Sequence, residues 1–220
     1  MTSKSFLLHK SFLFLDHLFQ KVHKAPLGKP FVAILAFHEV SNTPSVFFTN
    51  ATNTFPEHLD ALISRIKNYF EIISLPQAIH ELSNGLLSST KFVLTFDDGH
   101  KSLYNNAYPI LLKHNVPATI FLTTKCINDD SPFWPYILRF FLSSEYKDRF
   151  LRLTNNIIHV KYRNIKRTIN LSDQSRIEEI MQTAFRNILP FSDIIKQSGG
   201  LFLSDNNILS MQDIFSFGSH

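Results

Sequence analysis

Cysteine is almost absent: Cys126 stands alone among 220 residues. No intrachain disulfide framework can form, and a lone thiol fits a reducing compartment. Runs of arginine and lysine interleaved with aromatics are also missing, and the net charge is only +4, from 22 basic and 18 acidic residues. Nucleic acid is therefore not expected as a partner. No apolar run is long enough to span a bilayer. Near the N-terminus, Phe6 to Val22 is rich in phenylalanine and leucine. His9, Lys10, Asp16 and His17 interrupt it well before the ~20 apolar residues a spanning helix needs. The uninterrupted apolar core and small-residue cleavage site of a signal peptide are missing as well. Residues 1–30 read instead as an amphipathic helix, either packed on the core or lying on a membrane surface, ended by Pro26, Gly28 and Pro30. Without a signal segment the expected location is the cytoplasm or its membrane face.

What is present is a chain of 44% apolar and 18% charged residues, enough for one domain with a substantial core. From Phe31 the pattern alternates. Phe31 to Phe37 reads as a strand buried on both faces, ending on His38-Glu39. Thr54-x-x-Glu57 reads as a capping box before a helix carrying Leu59, Ile63 and Ile66. Glu71 to Leu75 is a second strand, and Ser74-x-x-Gln77 a second capping box, opening a helix that stops at Gly85. Phe92 to Phe96 is the third strand. A helix over Ser102 to His114, kinked at Pro109, leads to a fourth strand at Ala118 to Thr123. Such alternation implies parallel strands with crossover helices, in a barrel or a doubly wound sheet, and places functional groups at the carboxyl ends of the strands.

After the fourth strand the alternation stops. Residues 131–200 read as a helical insertion, including Phe133-Trp134-Pro135 and a stripe of Ile177, Ile180, Met181, Ala184 and Ile188. Between Arg139 and Arg167 eight basic residues face only Glu145 and Asp148. This is either a solvated face or a surface for anionic glycan or lipid. Ser210 is expected to cap a short helix over Met211, Ile214 and Phe215.

The chemistry concentrates at Thr95-Phe96-Asp97-Asp98-Gly99. Adjacent carboxylates at the end of a buried strand are costly unless a metal, a proton or dense hydrogen bonding compensates them. The plain alternative is a turn with helix-capping aspartates before Gly99.

This stretch resembles the first motif of the polysaccharide deacetylases, the NodB-homology group or carbohydrate esterase family 4. Other landmarks follow the order of one branch of that family: Ala36-Phe37-His38-Glu39-Val40, Pro117 to Leu122, Phe133-Trp134, Leu209-Ser210-Met211 and Gly218-Ser219-His220. The resemblance implies an α/β fold, an incomplete (β/α) barrel of the distorted seven-stranded NodB type over residues 31–220, with the helical insertion after strand four. It implies a metal-dependent hydrolase that removes N-acetyl groups from a polysaccharide or glycoconjugate. Asp97 would be the catalytic base, and Asp98 and His220 metal ligands. The implied cofactor is Zn2+, with Co2+ or Ni2+ as substitutes. The family pattern puts a second histidine four residues after His220, where the chain supplies no residue. The expectation is therefore a truncated form holding two of three ligands. A non-catalytic remnant, binding through the basic insertion and the N-terminal helix, is the alternative.

Other residues carry paired readings. His38 either lines the substrate side of the site or is a satisfied strand-end histidine. His100 reads as a surface imidazole rather than a substitute ligand. Trp134 packs in the insertion or stacks on a sugar, and Cys126 reads as a buried thiol.

Overall fold

The computed structural model describes residues 29–43, 52–127, 134–143, 145–153 and 200–220, together with residues 179, 180, 183 and 187. The helix expected over 1–30 and most of the stripe from Ile177 to Ile188 lie outside the described residues, as does much of the basic stretch beyond Arg152. No helix among the described residues is long and apolar enough to cross a membrane.

The architecture is α/β, built on parallel pairings. Strand β1 (Val32–Phe37) runs beside β5 (Lys91–Asp98), which pairs with β6 (Ala118–Leu122), which pairs with β7 (Phe215–Ser219). β4 (Glu71–Ile72) joins the amino end of β5 at Lys91 and Phe92. A separate two-stranded sheet pairs β2 (Glu39–Val40) with β3 (Asn53–Thr54).

β5 is the buried centre of the sheet. Side chains alternate across a strand, so Phe92, Leu94 and Phe96 share one face. They join a core with Leu59, Ile63 and Ile66 of helix α1 (Pro56–Lys67) and Leu111 of helix α3 (Tyr108–His114). Each such burial contributes roughly 1.5–3 kcal/mol. On the other face Val93 packs with Ile73 and with Ala78 of helix α2 (Leu75–Ser83). Thr95, Thr119 and Ser216 share a register row across β5, β6 and β7, and the Thr119 and Ser216 hydroxyls are 2.8 Å apart.

Several expectations need correction. β1 is not buried on both faces: it edges the sheet, and Ile34 is 56% exposed. Thr54 does not cap α1. It sits in β3, Phe55 takes the N-cap position without a side-chain cap bond, and Pro56 starts the helix. Proline needs no N–H partner in the first turn and presets the helical φ, which moves the start by one residue. The second strand stops at Ile72, because Ser74 caps α2 by accepting from the Gln77 N–H at 3.2 Å. Pro109 does not merely kink a continuous helix. Residues Leu103–Ala107 form a π turn and α3 begins at Tyr108, whose N–H reaches back to the Leu103 carbonyl. Proline cannot donate to the preceding turn, and a local π turn absorbs the mismatch.

The C-terminal stretch differs most. Ser204, not Ser210, is the N-cap, and with Asn207 it closes a capping box that opens helix α6 (Asp205–Ser210). Ser210 ends that helix, and Phe215 begins β7, a strand expected there as helix and tail. Its alternation is hidden in the sequence by Gly218, where a Cβ would meet the Phe121 ring at 2.9 Å. The insertion supplies helices α4 (Trp134–Ser143) and α5 (Lys147–Leu153), locked by stacked Phe141 and Phe150 rings with centroids 4.6 Å apart.

Candidate active site

The parallel register brings His38, which follows β1, level with Asp97, the second-last residue of β5, next to Phe96 and its partner Phe37. His38 Nε2 lies 3.9 Å from Asp97 Oδ2. The backbone beyond His38 is pinned: the Val40 N–H donates to Ser102 Oγ at 3.2 Å, and Asn106 Nδ2 donates to the Val40 carbonyl at 2.8 Å.

Asp97 and Asp98 are neighbours in sequence but occupy different environments, because the chain turns sharply between them. The Gly99 N–H donates to the Asp97 carbonyl at 3.0 Å, and Asp98 between them has φ 72°. A bond from residue i+2 back to i around a positive φ is the pattern of the rare, strained γ-turn, and strain of this kind costs roughly 1–3 kcal/mol. Gly99 follows with φ 74°, and a Cβ there would lie 2.7 Å from Leu122 Cδ2. Only glycine meets both demands.

The turn leaves Asp97 partly exposed and drives Asp98 inward, to 5% exposure. Tyr136 of α4 donates its hydroxyl to Asp98 Oδ2 in a very short hydrogen bond. His100 Nε2 stands 3.8 Å from the same oxygen and 3.3 Å from the Tyr136 hydroxyl. Thr123 Oγ1 donates to Asp98 Oδ1 at 3.4 Å, and His220 Nδ1 lies 3.9 Å from that oxygen. Burial pushes the Asp98 carboxyl up, but His100 and Tyr136 beside it outweigh burial and hold it below its ordinary value. Asp98 is thus an anion at neutral pH. Burial holds the His100 imidazole below its ordinary value, so it is neutral there. Burial and the Asp98 charge push the Tyr136 phenol far up, so it remains a donor.

His220 arrives by register. Leu122 pairs with Asp98 on one side and Ser219 on the other, and the His220 N–H donates to the Leu122 carbonyl at 2.9 Å. Its side chain is 46% exposed and faces the open side of Asp98. An imidazole and a carboxylate at this separation suit two ligands of one ion: bonds of about 2.0–2.2 Å to zinc put tetrahedral donors roughly 3.5 Å apart. Among the described residues no group of three histidine, cysteine, aspartate or glutamate side chains is gathered as a metal cluster. The donor chemistry thus fits a divalent ion at two protein positions.

All four expected site residues, His38, Asp97, Asp98 and His220, come to one end of the sheet. His100 does not lie on the surface: it is 2% exposed and stacked on Phe202, centroids 5.3 Å apart. Segment 201–203 holds it there, through Lys101 N–H to the Leu201 carbonyl and Leu203 N–H to the Gly99 carbonyl, both 2.9 Å. Cys126 is buried, as expected. Tyr136 was not legible, since an aromatic within a helical stripe carries no sign of a polar duty.

Comparison with known proteins bears on the same stretch. Residues 87–157, which include the aspartate pair and Tyr136, match the polysaccharide deacetylase family. YxkH of Bacillus subtilis, which carries a polysaccharide deacetylase name, is 34% identical over 95 residues, 43% of this chain and 32% of its own length. A poly-beta-1,6-N-acetyl-D-glucosamine N-deacetylase of Staphylococcus aureus is 30% identical over 61 residues, 28% of this chain and 21% of its own length. The matched stretches thus span a third or less of these relatives. Among solved structures, Streptococcus pyogenes deacetylase PplD in complex with acetate is 30% identical, at a TM-score of 0.40, over 46% of each chain. IcaB from Ammonifex degensii is 16% identical, at a TM-score of 0.43, over 80% of this chain and 72% of that one. The shape likeness is partial, and the assignment rests on the aspartate motif and the sequence matched around it. Over residues 87–157 the chain is similar to the polysaccharide deacetylases, a family of hydrolases.

Proposed function

We propose that the chain carries the site of a metal-dependent N-deacetylase acting on an N-acetylated polysaccharide or glycoconjugate, on a partial (β/α) barrel of NodB type. The observation that carries this reading is the split of one Asp-Asp pair by a strained turn. Asp97 stays accessible beside His38, while Asp98 is buried as an anion whose Oδ1 faces His220. Two carboxylates in such unlike settings are suited to unlike roles.

Asp98 and His220 would hold the ion, which when bound supplies Lewis acidity to an amide carbonyl. Asp97 takes a proton from water as the water oxygen bonds to the acetyl carbon. The carbon–nitrogen bond then breaks, the proton passes to the leaving nitrogen, and acetate and a free amine result. His38, 3.9 Å from Asp97, lies on the substrate side, where it can orient the base or an adjoining sugar hydroxyl. The N-acetylglucosamine polymer named for the Staphylococcus relative sets the substrate class to try first.

The test is amine release from N-acetylglucosamine oligomers by the purified chain with added zinc. Release that vanishes in Asp97→Asn and Asp98→Ala, with the circular dichroism unchanged, supports the reading. Release that survives Asp97→Asn defeats it. A folded chain that neither binds zinc nor releases amine favours the non-catalytic binding role.

A further inference from the structure

We propose that Tyr136 is a positioning residue for the metal carboxylate: its hydroxyl engages Asp98 Oδ2 and so presents Oδ1 to the ion. This rests on the proposed metal site. The two oxygens of Asp98 have separate surroundings. Oδ2 faces inward, where it accepts from Tyr136 with His100 alongside. Oδ1 faces Thr123 and His220.

The inner side is walled by three rings. His100 stacks on Phe202, Tyr136 meets His100 edge-on with centroids 5.7 Å apart, and Tyr136 tilts against Phe202 at 6.2 Å. Tyr136 is 6% exposed, so water does not compete for its hydroxyl. A phenol donating to a buried carboxylate forms a charge-assisted bond, short and roughly twice as strong as a neutral one. A carboxylate free to rotate would instead offer either oxygen, or both, to an ion. Partners of this kind, which hold a ligand rather than the metal, fix ligand orientation and tune affinity.

The helix bearing Tyr136 belongs to the insertion. Neighbouring α4 residues serve the insertion's own packing, Phe141 against Phe150 and Phe140 against Tyr146. Tyr136 alone of these rings donates to the aspartate pair. The insertion therefore acts on the metal site through one hydroxyl, not merely by covering the sheet.

The experiment is zinc titration of the metal-free chain by competition with a chromophoric chelator, with circular dichroism as the fold check. Tyr136→Phe keeps the ring and removes only the donor, and zinc binding should weaken about 10–100-fold. Phe202→Leu disturbs the same ring cluster without touching Asp98. It should lower the melting temperature while changing zinc affinity less than about 3-fold, the usual scatter of a single contact's effect. Equal weakening in both variants means a packing effect and overturns the proposal, as does unchanged affinity in Tyr136→Phe. Should Tyr136→Phe fail to fold, the wild-type chain decides by NMR. A Tyr136 hydroxyl proton protected from exchange, and shifted by zinc, supports the role; one exchanging as freely as a solvated tyrosine overturns it. A wild-type chain that binds no zinc defeats the metal site itself, whereas wild-type binding matched by Tyr136→Phe defeats only the positioning role.

Discussion

At its amino end β5 begins with Lys91, whose ammonium lies 2.9 Å from Glu71 and 3.1 Å from Glu81; at its carboxyl end it finishes with Asp98, walled by Tyr136 and His100. Both clusters place buried charge on the same strand, the amino end paired with β1 and β4 and the carboxyl end with β6. The amino end is closed: cation and anions meet directly, on regular strand geometry, and Lys91 is held above and Glu81 below its ordinary value. The carboxyl end is open. Its anion meets only neutral donors on the inner side, its backbone passes through two consecutive positive φ values, and its outer oxygen faces an exposed imidazole at 3.9 Å. At the amino end the buried cation has its counter-charges within the fold. Charge held by dipoles, with one oxygen left toward an exposed imidazole, is the setting of the proposed cation site.

The widest separation between the two ends is catalytic. Asp97→Asn removes the proposed base and should lower amine release by about 10²–10⁴-fold, whereas Lys91→Met should leave the rate of the folded fraction unchanged. Kinetics on N-acetylglucosamine oligomers with added zinc measure both. A rate loss in Lys91→Met matching that of Asp97→Asn would erase the distinction.

Next comes metal linkage. Zinc at 100 times its dissociation constant stabilises a binding-competent fold by about 2.7 kcal/mol, so the wild-type melting temperature should rise with zinc. Asp98→Ala should abolish that rise, and Lys91→Met should preserve it. Thermal melts with and without the metal read the difference directly.

Gly99→Ala acts on the turn that separates the two aspartates. It adds a side chain at φ 74°, with its Cβ 2.7 Å from Leu122 Cδ2. Placing a non-glycine residue in this region costs roughly 1–2 kcal/mol, and Leu122 must also move. Denaturant unfolding should report that loss, with zinc affinity falling too because Leu122 is the register partner of both Asp98 and Ser219.

Much of this geometry was legible in the sequence because it depends on local chemistry. Phe92 to Phe96 reads as a buried strand from its own residues, Ser74 announces α2, and Asp97-Asp98-Gly99 marks a site by its cost. What failed depended on remote partners. His100 reads as a surface residue only because Phe202 and Tyr136, which bury it, lie 102 and 36 positions along the chain. Phe215–Ser219 becomes a strand because β6 offers an edge to pair with, and at 218 the Phe121 ring leaves room for glycine alone. Its five residues contain too little alternation to announce this alone. Tyr136 looks like packing until the chain is folded, because nothing in Trp134-Pro135-Tyr136 names the carboxylate it reaches.

The smallest expected effect concerns pH at the closed end. Lys91 is held up by Glu71 and then Glu81, so its contribution is complete below its unfolded value near 10.4 and is lost as pH rises through its folded value. Glu81 is held down by the hydrogen bond from Gln77 and then by Lys91, so its contribution is present above about 4.3 and is lost as pH falls through its folded value. The cluster therefore stabilises evenly from about pH 5 to 10 and erodes on either side. Asp98, also held down, adds to the acid limb, so the wild-type curve alone does not separate the ends. Glu81→Gln does: the melting-temperature gap between wild type and variant should be widest near pH 7 and narrow as pH falls from about 4.3 through the lower folded value, below which the wild-type carboxyl is neutral like the amide. Zinc affinity should be the same in both. A gap that stays constant down to pH 3 would mean that Glu81 acts through packing rather than charge, and the amino end would no longer be a charge cluster to set against Asp98.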